Sequence, residues 1–127
     1  MLPILKIEQT DDSPYVYLNS KTGELKMLGR SHNLNSNEFY KPIIYWIQKY
    51  VATSPHFTSV ELFFEYIDSR TSKQLYTVLR ALGPINLTGN TLKIKWGYDK
   101  DDDEMLWLIQ TMEKQLLLDI EKNEMEE

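Results

Sequence analysis

The sequence predicts an α/β domain: a mixed four-stranded sheet with helices packed on it, in the order ββαβαβα. Three observations carry this. A hairpin pattern opens the chain, two later strand patterns each follow a helical one, and 127 residues suffice for one domain rather than two. Parallel strands joined through helices require right-handed crossovers, so two βαβ units place helices on a sheet.

Tyr15–Asn19 (YVYLN) is rich in aromatic and β-branched residues and reads as a strand. Lys21, Thr22 and Gly23 supply a turn, and Glu24–Leu28 alternates polar with apolar, giving a second strand and a hairpin. Asn35–Ala52 reads as a helix, with Phe39, Ile43, Ile47 and Tyr50 or Val51 on one stripe and Asn35 with Glu38 as a capping pair. Pro42 removes one helical hydrogen bond, so the helix either bends there or begins near Glu38. In Ser59–Ile67, Val60, Leu62, Phe64 and Tyr66 share one face while Phe63 and Ile67 face the other, which predicts a central strand buried on both sides. Leu75, Val78, Leu79 and Leu82 recur with helical spacing and Gly83-Pro84 ends that helix. Gly89-Asn90 turns the chain into a last strand, Leu92–Trp96. Asp102 or Asp103 caps a final helix from Glu104 to about Ile120, and the acidic tail beyond about residue 120 is expected to fray.

Composition narrows the function. With 42% hydrophobic and 26% charged residues the chain has the balance of an ordinary globular domain, here one spanning 1–127. It has no apolar run near the ~18 residues of a membrane span. The start, MLPILKIEQTDD, lacks the basic region and cleavage site of a signal peptide, so a cytoplasmic location is expected, with no membrane partner. Cysteine is absent, which excludes disulfides and thiol chemistry. The stretch Asp99–Glu127 carries a net charge of −8 and the first 98 residues only +3, so no nucleic-acid partner is expected.

Catalytic signatures are missing: the chain contains no glycine-rich phosphate loop and no nucleophile elbow. His32 and His56 are isolated and read as surface residues. Asp99, Asp101 and Asp103 fit the first positions of a calcium loop, but Glu104 stands where that loop needs glycine and Gln110 where it needs glutamate. The run reads instead as an acidic lead-in to a helix N-terminus, where carboxylates are favourable. Neither metal nor cofactor is expected. Tyr66, Trp96 and Tyr98 fall near the ends of the two inner strands, where such aromatics usually pack at the edge of a core.

One cluster remains, Asp68-Ser69-Arg70-Thr71-Ser72-Lys73, where the central strand hands over to a helix. Asp68 or Ser69 can serve there as an N-cap and nothing more. The same place also suits a phosphate, which adds about −2 charge and finds backbone N–H donors at a helix N-terminus.

YIDSRTSKQL resembles the Tyr-x-Asn-Thr-Ser-Ser-x-Lys segment of the SiaC family of bacterial regulatory phosphoproteins. KIKWGYDKDDDEM resembles that family's Trp-x-Tyr and acidic Asp-Glu-Met stretch, NEFYKPIIYWIQKYV its first helix, and GELKMLGRS its second strand. Together these span about Tyr15 to Met112 in the same order. The resemblance implies a STAS-like fold, similar to that of anti-sigma-factor antagonists, and a phosphorylated residue at Ser69, with Thr71 and Ser72 as alternatives. It implies a phosphate environment and partner surface made of Asp68, Arg70, Lys73, Trp96, Tyr98 and Asp99. It also implies partner switching in cyclic-di-GMP signalling: a protein kinase, a PP2C-type phosphatase, and a target such as a diguanylate cyclase bound by the unmodified form. Asp68-Ser69 stands in place of Asn-Thr, and Ser31-His32-Asn33-Leu34-Asn35 in place of Ser-Tyr-Pro-Glu-Asn. The leading expectation is thus a non-enzymatic signalling switch. Beside it stand a constitutive STAS-like binding module and a small enzyme using Asp68 and the Asp99–Glu104 carboxylates with a metal.

Overall fold

The computed structural model describes residues 2–126. Its sheet has six strands in sequence order: β1 (Leu5–Ile7), β2 (Tyr15–Asn19), β3 (Glu24–Ser31), β4 (Phe57–Ile67), β5 (Thr91–Asp99) and β6 (Ile120–Met125). The first three form an antiparallel meander, and β3 to β6 run parallel. The crossovers carry α1 (Ser36–Ala52), α2 (Ser69–Leu82) with the single turn α3 (Pro84–Leu87), and α4 (Asp103–Leu116). Because each parallel strand steps the same way across the sheet, crossovers of one hand put every helix on one face. Val60, Leu62 and Phe64 of β4 and Ile94 and Trp96 of β5 point into that face and pack with Tyr40, Ile43, Ile47, Leu75, Leu79 and Ile109 from the helices. Among the described residues no helix is long and apolar enough to cross a membrane.

The mixed α/β fold is as the sequence predicts, with local differences. The sheet has two strands more than expected. β1 is too short to show alternation. The expected frayed tail is instead the edge strand β6, paired to β5 from Ile94↔Ile120 to Asp99↔Met125. An edge strand needs few apolar residues, because one side of it faces solvent. Its anchor is Glu113 on α4, whose Oε2 accepts from the Ile120 amide at 2.8 Å and whose Oε1 accepts from Lys122 Nζ at 2.7 Å. The Lys122 hydrogen bond first, then the Ile120 amide, hold the Glu113 carboxyl below its usual range against some burial. α4 accordingly ends at Leu116, short of Ile120, where Leu117 turns left-handed with φ 54°.

α1 runs unbroken through Pro42, with Asn35 at the N-cap but no side-chain capping bond. The hairpin turn needs Gly23, at φ 76°, where a Cβ would collide with the Phe57 carbonyl oxygen. β4 is central but not buried on both sides: Glu61 and Glu65 are exposed on the face away from the helices. Tyr66 does not join Val60, Leu62 and Phe64. Gly29 pairs with Phe64 while Arg30 pairs with Tyr66, so Glu65 is an extra residue that breaks the alternation. Tyr66 is 54% exposed as a result.

Glu113→Ala should free β6 from α4 and cost about 1.5–3 kcal/mol, the range for hydrogen bonds to a charged group. Hydrogen exchange at the Ile120 amide should rise far more than at the Ile94 amide; equal rises would mean β6 holds by its ladder alone.

Candidate functional site

At the C-terminal end of β4 the backbone amide of Asp68 donates to the Ser31 carbonyl at 3.2 Å, tying the end of β4 to the end of β3. Asp68 then caps α2: its extended backbone, at φ −99° and ψ 179°, aims Oδ1 at the Thr71 amide, which donates at 2.9 Å. Its other oxygen, Oδ2, accepts from Arg70 Nη2 at 2.7 Å and Nε at 3.1 Å. Burial pushes the Asp68 carboxyl up, but the Thr71 and Arg70 hydrogen bonds and the Arg70 charge outweigh it and hold the group below the usual carboxylate range. Since Asp68 is the cap, Ser69 is left as the first residue of α2 with an exposed side chain.

Thr71 and Ser72, the alternatives to Ser69, are placed differently. Thr71 is 0% exposed. Its Oγ1 donates to the Ser31 carbonyl at 2.7 Å and lies 2.8 Å from Ser31 Oγ, which in turn lies 2.8 Å from Tyr40 Oη. This buried chain links α1, β3 and α2, and it withdraws Thr71 from any modifying enzyme. Burial pushes the Tyr40 phenol up to about 12, the Ser31 hydrogen bond opposes this, and the Asp68 charge adds to it, so the link stays neutral. Ser72 is half-buried and bonds back to the Asp68 carbonyl at 3.3 Å.

Ser69 stands on the rim of an open groove of about 640 Å³ between the start of α2 and the start of α4. Ile67, Met105 and Leu108 line its apolar part, and Asp68, Asp102, Asp103 and Glu104 make it acidic. Asp102 caps α4 by accepting from the Met105 amide at 3.0 Å. No group of three or more acidic or histidine side chains suited to a metal occurs among the described residues.

Several residues named from the sequence lie elsewhere. Trp96 is 0% exposed and meets Phe64 edge-on at 6.3 Å between ring centres, and Tyr98 is also buried. Both occupy positions of β5 that face the helices, so neither forms a partner surface. Asp99 lines a separate cleft with Arg30, His32 and Tyr66, and the exposed Lys73 lines the next stretch of groove between α2 and α4. Sequence reasoning missed Trp107. It is 66% exposed and lines the groove facing Ser69's helix. The signal was available: Trp107 falls off the stripe of Met105, Ile109 and Met112 that buries α4, on a face where polar residues belong.

This junction is a capped helix that presents an exposed hydroxyl beside an acidic groove. The sequence model of the SiaC family regulatory phosphoprotein matches residues 7–125, and the chain belongs to the SiaC family. An uncharacterized protein of Pseudomonas aeruginosa strain UCBPP-PA14 is 24% identical over 101 residues, covering 80% of both chains. Apo-SiaC of Pseudomonas aeruginosa has the same fold at a TM-score of 0.83 and 19% identity, covering 96% of this chain and 99% of its own. SiaC in the crystal structure of the diguanylate cyclase SiaD with its activator gives a TM-score of 0.87 at 21% identity, over 95% of this chain and 99% of the other.

Asp68→Ala should lower stability at neutral pH by about 0.5–2 kcal/mol, as is usual for loss of an N-cap. The depressed folded pKa fixes the sign: the Asp68 contribution is present above the unfolded carboxylate value and disappears as pH falls through the lower folded one. Urea unfolding at pH 7 and near pH 2 should therefore show the gap between variant and parent closing in acid.

Proposed function

We propose that the protein is a phosphorylation-controlled partner switch without catalytic activity of its own. Its unmodified form docks a target protein over the groove between α2 and α4. A protein kinase phosphorylates Ser69 and so expels the target, and a PP2C-type phosphatase restores docking. The observation that carries this reading is the free, exposed Ser69 hydroxyl at the first position of α2, beside the exposed aromatic rings of Trp107 and Tyr66. Such a pair of exposed aromatics at a groove is the kind of surface that anchors a partner.

The electrostatics support expulsion rather than refolding. A phosphate here adds about −2 charge next to Asp68, Asp102, Asp103 and Glu104. Arg70, the nearest cation in sequence, is already held by Asp68. Asp68 supplies the cap in either state, so α2 keeps its start. Because a similar fold is seen in the SiaC that activates the diguanylate cyclase SiaD, a diguanylate cyclase is the target class we propose. A cytoplasmic setting, in keeping with a chain that has no cysteine, fits this role.

Two measurements test the proposal. Mass spectrometry of protein isolated from its own host should find phosphate on Ser69, and calorimetry against the cyclase should show the phosphoserine form binding at least ~10-fold more weakly at moderate salt. Ser69→Ala should keep the fold within about 0.5 kcal/mol, as expected of a surface position that is not the cap, and should take up no phosphate. Equal affinities of the two forms would leave a constitutive binding module, and full phosphorylation of the alanine variant would move the site to Ser72.

A further inference from the structure

The helices cover one face of the sheet and leave the other bare. Strands β3 to β6 are parallel, and parallel sheets are ordinarily covered on both faces. The bare face is ordered in rows. In one row Lys26, Glu61, Lys95 and Glu121 stand side by side on four adjacent strands, so charge alternates in sign across the sheet. None of the four closes an ion pair among the described residues. The next row is apolar at its middle: Leu28, Phe63 and Gly97 share a register. Phe63 and Met125 fold over Gly97, where an added Cβ would come within 3.2 Å of Phe63 Cδ1 and 3.4 Å of Met125 Sδ. Met125 and, at the start of β4, Phe57 remain exposed.

We propose that this face packs against the same face of a second copy of the chain. A two-fold axis running along the strands between β4 and β5 exchanges β3 with β6 and β4 with β5. Lys26 then meets the partner's Glu121 and Glu61 meets the partner's Lys95. Each contact occurs twice, as an isologous interface requires. The same operation lays the apolar row of one copy on that of the other. A row of four alternating charges is self-complementary under this axis, whereas a row of one sign would repel itself. The strands of the two sheets run nearly aligned, a common way for sheets to pack.

Area agrees with this occupant. The four strands that overlap under this axis, β3 to β6, spaced ~4.8 Å apart and contributing ~8.5 residues each at a rise of ~3.3 Å, offer roughly 540 Å² per copy. Two copies would bury about 1,100 Å², above the ~1,000 Å² that a specific interface needs. The groove beside Ser69 lies among the helices on the opposite side, so pairing leaves it free on both copies, facing outward.

The test is sedimentation equilibrium of the full chain from ~1 μM to ~1 mM. A reversible dimer is expected. Glu61→Lys sets a second cation against the partner's Lys95 at two places and should raise the dissociation constant at least ~10-fold. The double exchange Glu61→Lys with Lys95→Glu restores opposite charges and should return it to within ~3-fold of the parent. Circular dichroism melting of each variant confirms that the fold persists. A chain that stays monomeric throughout overturns the proposal, as does a dimer indifferent to Glu61→Lys or one that the double exchange fails to rescue. None of these outcomes depends on whether Ser69 carries phosphate.

Discussion

Four parallel strands laid down in sequence order, each joined to the next by a crossover of the same hand, leave no freedom over where the helices go. That constraint organises this molecule. It gathers the C-terminal ends of β3, β4 and β5 on one edge of the sheet, so Ser31, the Asp68–Ser69 junction and the acidic run after Asp99 are brought to one region although far apart in sequence. It also sets the starts of α2 and α4 side by side, with a groove between them.

Within that frame the junction divides its labour between neighbouring residues. Asp68 is structural, capping the helix and holding Arg70, and Ser31 anchors the turn by accepting from Asp68 and Thr71 through one carbonyl. Ser69 is left without a structural duty. No buried contact depends on its hydroxyl. The neighbouring threonine has the opposite character: its hydroxyl belongs to a buried chain reaching Tyr40, and charging it would break the link between α1 and α2.

Local pattern made much of this legible in the sequence. The strand pattern ends at Ile67 and the helical stripe begins at Leu75, so the junction had to fall between them, and the core stripes of α2 and α4 follow from spacing alone. What stayed hidden depends on partners distant along the chain. The burial of Thr71 is decided by Ser31, 40 positions away. β6 is mostly polar and holds because Glu113, seven positions before Ile120, reaches back to its backbone. Trp96 and Tyr98 pack inward, in keeping with the edge-of-core reading of these aromatics and against their reading as a partner surface.

Glu65 is the extra residue that β4 holds against β3, next to Gly29 at φ 128°, and its carboxylate closes on Arg30 at 3.2 Å. Because side chains alternate along a strand, this one residue acts as a phase shifter for everything after it. Without it, Tyr66 would turn inward, Ile67 would turn outward, and Asp68 would enter the helix a half-step out of phase, its cap aimed at the wrong amide. Chain length just ahead of the junction is therefore as strict a requirement as residue type, and homologous sequences should tolerate substitutions there far more readily than gaps.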